Sequence, residues 1–410
     1  MTQPLDIVIV GGGMIGASLA VALAPLGLRT ALIETVPYNS SLQPSFDERT
    51  TALSNGSRRI LETLDLWNDL KTLAAPIAKI HVSDQGRFGF ARIDAAEQGL
   101  AAMGYVVPNR AFGATLWPRL TASASIDLHC PAQITAVAAR TDAVALHISE
   151  AGKEVVLETR LVVAADGVQS TVRQAFGVDT QTRDYDQTAV ITTVLPQRFH
   201  NHVAYERFTS AGPLALLPLN DGRCTLVLTL SKAMAQTAMQ WKDEEFLTEV
   251  QRRFGFRLGR FLKVGRRVSY PLALTRAERT SAGRCVIIGN AAQGLHPVAG
   301  MGFNLGLRDV ASLAELIAER RRDADFDAGA PALLADYDAW RAADRSGVIA
   351  FTDGLVRVFA NPLRAVQRLR NLGLLAFDLL PPAKSALSRL STGSSGNARV
   401  PKLARGVLLQ

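Results

Sequence analysis

The chain has 410 residues, 48% of them hydrophobic and 20% charged, which excludes a disordered or fibrous polypeptide and allows two domains or one large domain with an insertion. The formal charge is +8, but residues 351–410 hold nine Lys or Arg against Asp353 and Asp378, so the rest is near neutral and no nucleic-acid partner is expected. Cys130, Cys224 and Cys285 form no CxxC pair and no metal spacing, which predicts reduced thiols, no metal and a cytoplasmic setting.

The opening LDIVIVGGGMIGASLAVALAPLGLRTALIE (5–34) reads as a strand, a glycine turn, a helix within Ala17–Leu26 and a second strand. That is a βαβ unit, with a right-handed crossover and a parallel sheet. Ile7–Leu28 carries no charge and is long enough to span a membrane. Gly11, Gly12, Gly13 and Gly16, between a β-rich and a helical run, favour the strand–turn–helix instead. No secretory signal is expected, because no basic n-region with a small-residue cleavage site is visible.

From about Ala75 to Gly99 shorter alternating runs such as AKIHVSD predict strands, and Asn109–Thr121 predicts a helix. The stretch AVALHISEAGKEVVLETRLVVAADG predicts a hairpin turning at Ala151-Gly152, then a buried strand, Leu161–Ala165. A β-rich block over roughly 185–275 includes a hairpin with Asn220-Asp221-Gly222 at its turn. RCVIIGN (284–290) is another buried strand. After Phe303 the pattern is helical to about residue 390, and STGSSGNARVPKLARG reads as a loose tail. In residues 351–390 arginines interleave with apolar residues, which suits either a helix on a membrane surface or one packed on its own protein.

The fold class expected is mixed α/β. A Rossmann-like nucleotide-binding domain is discontinuous over 1–75, 100–176 and 277–335. An antiparallel β-sheet substrate domain, 76–99 and 177–276, is inserted in it, and 336–410 forms a C-terminal helical region and tail.

Three places carry chemistry. Gly11-x-Gly13-x-x-Gly16 follows a strand and opens a helix, so its bare backbone and free amides suit a pyrophosphate. Glu34 ends the second strand, where a carboxylate accepts from a ribose hydroxyl. Asp166-Gly167 follows a buried strand, with Arg173 beyond. That is a ligand position in open α/β sheets, the lesser alternative being an Asx turn capping a helix. The third is GNAAQGLHPVAGMGFNLGLRDV (289–310). Asn290 ends a strand, and Gly300 and Gly302 lead into a helix whose first amides can hold an anionic group. His296 and Pro297 are the weak catalytic candidates, a structural role for the histidine being the alternative.

GGGMIG…E, AADG and the 289–310 stretch together resemble the FAD-dependent aromatic hydroxylases of the p-hydroxybenzoate hydroxylase type. FDERTTALSNGSRRILETLDLW, IHVSDQGRFGF, YERFTSAGPLALLPLNDGRC and SYPLAL resemble its ubiquinone-biosynthesis branch, most closely the members acting on 2-polyprenyl-6-methoxyphenol. The likeness covers nearly the whole chain. It implies an FAD monooxygenase in which NAD(P)H reduces the flavin, O2 adds at C4a, and a polyprenylated phenol becomes the 1,4-benzoquinol.

It also implies the site. The backbone of Gly11, Gly13, Met14, Ile15 and Gly16 takes the FAD pyrophosphate, and Glu34 the adenosine ribose. Arg49 (of Asp47-Glu48-Arg49) and Arg110 lie along the FAD, and Asp166 borders the pyrophosphate and the transient NAD(P)H. Asn290 contacts the ribityl chain, and Gly300, Gly302, Phe303 and Asn304 line the pyrimidine side of the flavin. Much of the wider family has Asp, and often a later His, where this chain has Asn290 and Gln293. Two other readings remain: a sister ring hydroxylase of the pathway, or a non-catalytic FAD- or prenyl-lipid-binding component of a quinone-synthesis complex. A prenylated substrate gives the basic C-terminal region a motive for contact with the inner membrane face.

Overall fold

The computed structural model describes residues 4–360 apart from 41 and 88, residue 373, and residues 399–409. Two large sheets dominate. In the first, the strands Cys285–Ile287, Lys153–Ala164, Leu5–Val10, Thr30–Ile33 and Ile126–His129 run parallel in that order. The chain starts in the middle, at Leu5–Val10, builds outwards through Thr30–Ile33, then returns to the other side through Lys153–Ala164. The reversal places a ligand crevice beyond the carboxyl ends of the two strands flanking it.

These strands read as continuous apolar runs because both faces are covered. Ile7, Ile9, Leu161 and Val163 pack on one side with the helices Met14–Leu23 and Met301–Arg320, and Val8, Val10, Val162 and Ala164 pack on the other. The predicted hairpin turns at Ala151-Gly152, with Glu150 opposite Lys153. Its second strand does not stop before Leu161: one strand, Lys153–Ala164, leaves the hairpin and continues into the parallel sheet.

The second sheet has nine strands and is largely antiparallel. Its long strand Thr180–Pro196 lies between Val268–Ala277 and Cys224–Ser231. One face is sealed by the helices Lys232–Gln240 and Asp243–Phe254, whose Ala235, Ala238, Phe246 and Val250 meet Leu214, Leu216, Leu226 and Leu228. The opposite face turns toward the first sheet. Two links join it there: Thr50 Oγ1 donates to Thr225 Oγ1 at 3.1 Å, and the short strand Gln293–Gly294 pairs with Val268–Ala277.

The last described residues correct the expectation of a loose tail. Arg399 pairs with Glu315 and Glu319, and Lys402 pairs with Glu319. Thr63 donates to the Leu403 carbonyl, and the Arg399 guanidinium lies 4.1 Å above the Trp340 ring. Glu315 and Glu319, four residues apart on one helix face, collect both cations. Two of the basic residues counted towards a membrane surface are therefore used within the protein. The expected amphipathic stretch falls mainly on 361–398, which apart from Gly373 lies outside the described residues. No described helix is long and apolar enough to cross a membrane.

Beneath the 289–300 loop lies a buried charge network. Asp309 Oδ2 accepts from the Gly289 amide (3.2 Å) and from Gln293 Nε2 (2.9 Å), and Oδ1 accepts from Arg341 Nε (2.8 Å). Arg341 also bonds Asp344, Arg308 pairs with Asp344, and Arg345 donates to Gln293 Oε1. Asp309 and Arg341 are almost fully shielded, at 0% and 2% exposure. Removing one partner strands a buried charge, which costs roughly 3–5 kcal/mol. Asp309→Asn is therefore expected to lower the unfolding free energy by about 3 kcal/mol. Urea unfolding of the variant beside the parent checks this; a loss below the experimental error would contradict it.

Candidate active site

The residues at the carboxyl ends of the parallel strands enclose a cleft of about 410 Å³, lined by Gly11, Gly13, Met14, Ile15, Glu34 and Asp166, with Asn290, Gly302 and Phe303 across from them. Gly11 adopts φ +101°, and a Cβ there would meet the Ala165 carbonyl at 2.5 Å. A Cβ on Gly16 would collide with the Gly11 carbonyl, so the helix sits directly on the turn and Gly16 itself is buried behind the cleft. The helix Met14–Leu23 starts at Gly13 with no side-chain cap and no acid in its first turn. Its first amides keep their partial positive charge for a ligand.

The second helix, Met301–Arg320, starts in the same way. Gly300 is its N-cap at φ +60°, no side chain caps it, and its first turn carries no acid. Two uncapped helix N-termini, packed side by side on one face of the parallel sheet, thus line one cleft. Asp309, two turns further along, fixes the second wall to the strand end at Gly289.

Glu34 closes the far end. Its Oε2 accepts from the Gly12 amide at 2.6 Å and its Oε1 from the Val36 amide at 2.8 Å. The carboxylate is held rigidly at the cleft, and each oxygen keeps a lone pair for a hydroxyl donor. Asp166 combines the two readings open in the sequence. It lines the cleft, and its Oδ2 accepts from the Val172 amide and Thr171 Oγ1 at 3.2 Å, capping a short helix. Its Oδ1 is buried without a partner. Arg173 turns away and donates to the Val168 and Ala291 carbonyls.

Other expected residues are placed differently. Asn304 uses its whole side chain as a clamp: Oδ1 accepts from the Ser54 amide, and Nδ2 donates to the Ala52 and Gly300 carbonyls. It orders the helix start, while the cleft wall itself is Gly302 and Phe303. Arg49 and Arg110 line a separate cavity of about 560 Å³ against the second sheet, with Arg223, Arg266 and Thr225. There Arg49 pairs with Asp47 at 2.6 Å and covers the Tyr270 ring, and Arg110 pairs with Glu48.

His296 is buried away from the cleft, its ring edge-on to Tyr185 at 5.5 Å. Nδ1 accepts from the Val298 amide, so the ring proton sits on Nε2, which has no partner among the described residues. Burial pulls its pKa down to about 4, so the ring is neutral near pH 7 and a weak base there. Pro297 caps a short 3-10 turn, Val298–Gly300. The Asp309 network escaped the sequence reading. Its one signal was the Arg308-Asp309 pair inside an otherwise apolar helix face.

The cleft fits FAD: the bare Gly11–Gly13 backbone, two positive helix ends, a fixed carboxylate for a ribose and an unpaired buried Asp166 oxygen all suit its anionic and hydroxyl groups.

Comparison with known proteins agrees. The profile of the family described as FAD binding domain matches residues 4–352. The chain is 40% identical to ubiquinone hydroxylase UbiL of Rhodospirillum rubrum over 98% of this chain and 93% of that protein. It is 31% identical to the 3-demethoxyubiquinol 3-hydroxylase of Escherichia coli over 92% and 95% of the two chains. In fold it resembles the p-nitrophenol 4-monooxygenase PnpA of Pseudomonas putida DLL-E4, with a TM-score of 0.79 at 18% identity, covering 96% and 99% of the two chains.

Two predictions follow from the geometry. Glu34→Ala removes an acceptor to which two amides are fixed, and is expected to weaken FAD binding by at least about tenfold, read by titration of the flavin-free protein; unchanged affinity would remove Glu34 from the site. For His296 the folded pKa lies below the unfolded value, so the unfolded state binds more protons between about pH 6.5 and 4. Stability is complete above that window and is lost as pH falls through it. His296→Asn should show a shallower loss in urea unfolding series at pH 7 and pH 5.

Proposed function

The chain belongs to the family described as FAD binding domain and is an FAD-dependent aromatic hydroxylase; on that premise we propose that it hydroxylates a polyprenylated phenol in ubiquinone biosynthesis, using NAD(P)H and O2. The substrate assigned is 2-polyprenyl-6-methoxyphenol, converted to the 1,4-benzoquinol. The observation that carries the reading is the convergence of two uncapped helix starts, Met14 and Met301, on one cleft, in a chain alike over its length to proteins named as ubiquinone-ring hydroxylases.

In this reading the free amides of Gly13 to Ile15, on the bare Gly11–Gly16 turn, hold the pyrophosphate, Glu34 the ribose, Asn290 the ribityl hydroxyls, and Gly302 and Phe303 the pyrimidine edge. Asp166 stands beside the pyrophosphate and the entering NAD(P)H. The chemistry that FAD supplies when bound is two-electron reduction and activation of O2. The protein's own part is to orient the ring, exclude water and manage protons. The division into a discontinuous FAD-binding domain and an inserted substrate sheet is part of the proposal. The phenol lies between the 295–300 loop and the open face of the second sheet.

A polyprenyl chain resides in the bilayer, so the protein works at the inner membrane face. The basic residues of 351–398 supply the attraction, each adding about 1 kcal/mol near an anionic surface. Replacing Arg364, Arg368 and Arg370 by Glu should reduce sedimentation with anionic liposomes; unchanged binding would count against the membrane contact.

The purified protein should be yellow, with FAD that denaturation releases. Complementation of strains lacking each ring-hydroxylation step, with identification of the quinone intermediate, tests the substrate. Restoration of the step that consumes 2-polyprenyl-6-methoxyphenol is expected. Restoration of a different step moves the assignment to a sister hydroxylase, and FAD binding without phenol-dependent NAD(P)H oxidation makes it a non-catalytic component.

A further inference from the structure

Residues alternate between the two faces along the strand Val203–Thr209. Tyr205 joins the core sealed by helices, with Leu216, Leu226 and Phe246. Ala204 and Phe208 look the other way. Ala204 packs with Ala75, Ile77 and Val106, and Phe208 with Val298 and Val356. Glu206 therefore lies on the open face between these two contacts, turned toward the first sheet and the 295–300 loop.

Its cross-strand neighbours are Val82 and Ala215, and the row continues through Val227 to Ile191. A carboxylate in such an apolar row breaks the expected pattern. A carboxylate kept there for structure would have a partner. Glu206 has none among the described residues, and its Oε1 is shielded from solvent. Burial pushes the carboxyl up to about 7.

Two contacts tie this face to the flavin-site elements on either side of Glu206. Phe208 packs with Val298 of the loop. Thr225 bonds Thr50, whose strand is clamped to the helix start by Asn304. The other titratable groups on the elements packed here are engaged. Tyr185 donates to Asp353, and Asp353 pairs with Arg183 and Arg357. Asp84 has a partner, and the one lone pair of the neutral His296 ring, on Nδ1, is taken by the Val298 amide, which leaves Nε2–H as a donor and no acceptor for a proton.

We propose that Glu206 is the catalytic residue that accepts the proton of the substrate's phenol. The inference rests on the hydroxylase reading above. The O–H bond breaks, the proton passes to the carboxylate, and the electron pair stays on the phenol oxygen, enriching the ring carbon para to it. That carbon then reacts more readily with an electrophilic oxygen. The proton held on Glu206 is among those consumed when the second oxygen atom leaves as water. A base titrating near the working pH is the most effective for such a step.

The test uses the FAD-loaded full chain and a soluble probe, 2-methoxy-6-prenylphenol, beside its methyl ether, which lacks the O–H. The parent should bind the phenol about tenfold more tightly than the ether, and Glu206→Leu should bind both alike. Glu206→Gln should hydroxylate roughly a hundredfold more slowly at pH 7, and should recover as rising pH ionises the phenol itself. FAD content and NAD(P)H-dependent bleaching of the flavin should stay at parent levels, and Glu206→Asp should regain part of the rate. A Glu206→Gln variant within twofold of the parent across the pH range, or a Glu206→Leu variant that keeps the phenol preference, overturns the assignment. A parent protein that neither binds nor hydroxylates any phenol overturns the hydroxylase reading, and this inference with it.

Discussion

The carboxylate of Asp309 ties the second helix that lines the cleft to the end of a parallel strand. It accepts from the Gly289 amide at the end of a parallel strand while Arg341, from the next helix, holds its other oxygen. The helix that carries Asp309 begins at Gly300 with its first amides free. Fixing Asp309 to Gly289 thus fixes those amides on the cleft that the start of the Met14 helix also lines. A buried ion network of this kind adds little net stability over an apolar packing. Its effect is geometric, because moving the loop strips Asp309 Oδ2 of the Gly289 and Gln293 donors that hold it.

Gln293 extends the same network toward the second sheet. Its amide bridges Asp309 and Arg345, and the next residue completes a two-residue strand against Val268–Ala277. The loop that lines the cleft is thereby attached to the antiparallel sheet. Gln293 serves here because one amide can donate to Asp309 and accept from Arg345 at once, which a carboxylate or a cation cannot. The row of that sheet's open face that holds Glu206 is otherwise apolar, through Val82, Ala215, Val227 and Ile191.

The local features were legible in the sequence because each depends on neighbouring residues. The glycine turn, the Glu34 strand end and the Ala151-Gly152 hairpin all follow from short patterns with a single physical solution. What could not be read depends on distant pairing. Arg308 and Asp309 look like a solvated pair until Arg341 and Asp344, more than a turn of chain away in another helix, are brought against them. Asn304 was placed at the right helix start, but a sequence does not say that its amide is consumed by Ala52 and Ser54. The resemblance sets Arg49 and Arg110 along the FAD, whereas the fold sets them on a second cavity against the antiparallel sheet, which no local pattern reveals. Arg399 and Lys402 looked like a free basic tail because their acceptors, Glu315 and Glu319, lie some eighty residues earlier.

An electron-density map of the chain crystallised with FAD should show the pyrophosphate on the amides of Gly13 to Ile15, the adenosine ribose at Glu34, and the pyrimidine edge of the ring against the amides of Gly302 and Phe303. Density for the cofactor elsewhere, such as in the cavity lined by Arg49, Arg110 and Arg266, would contradict this placement.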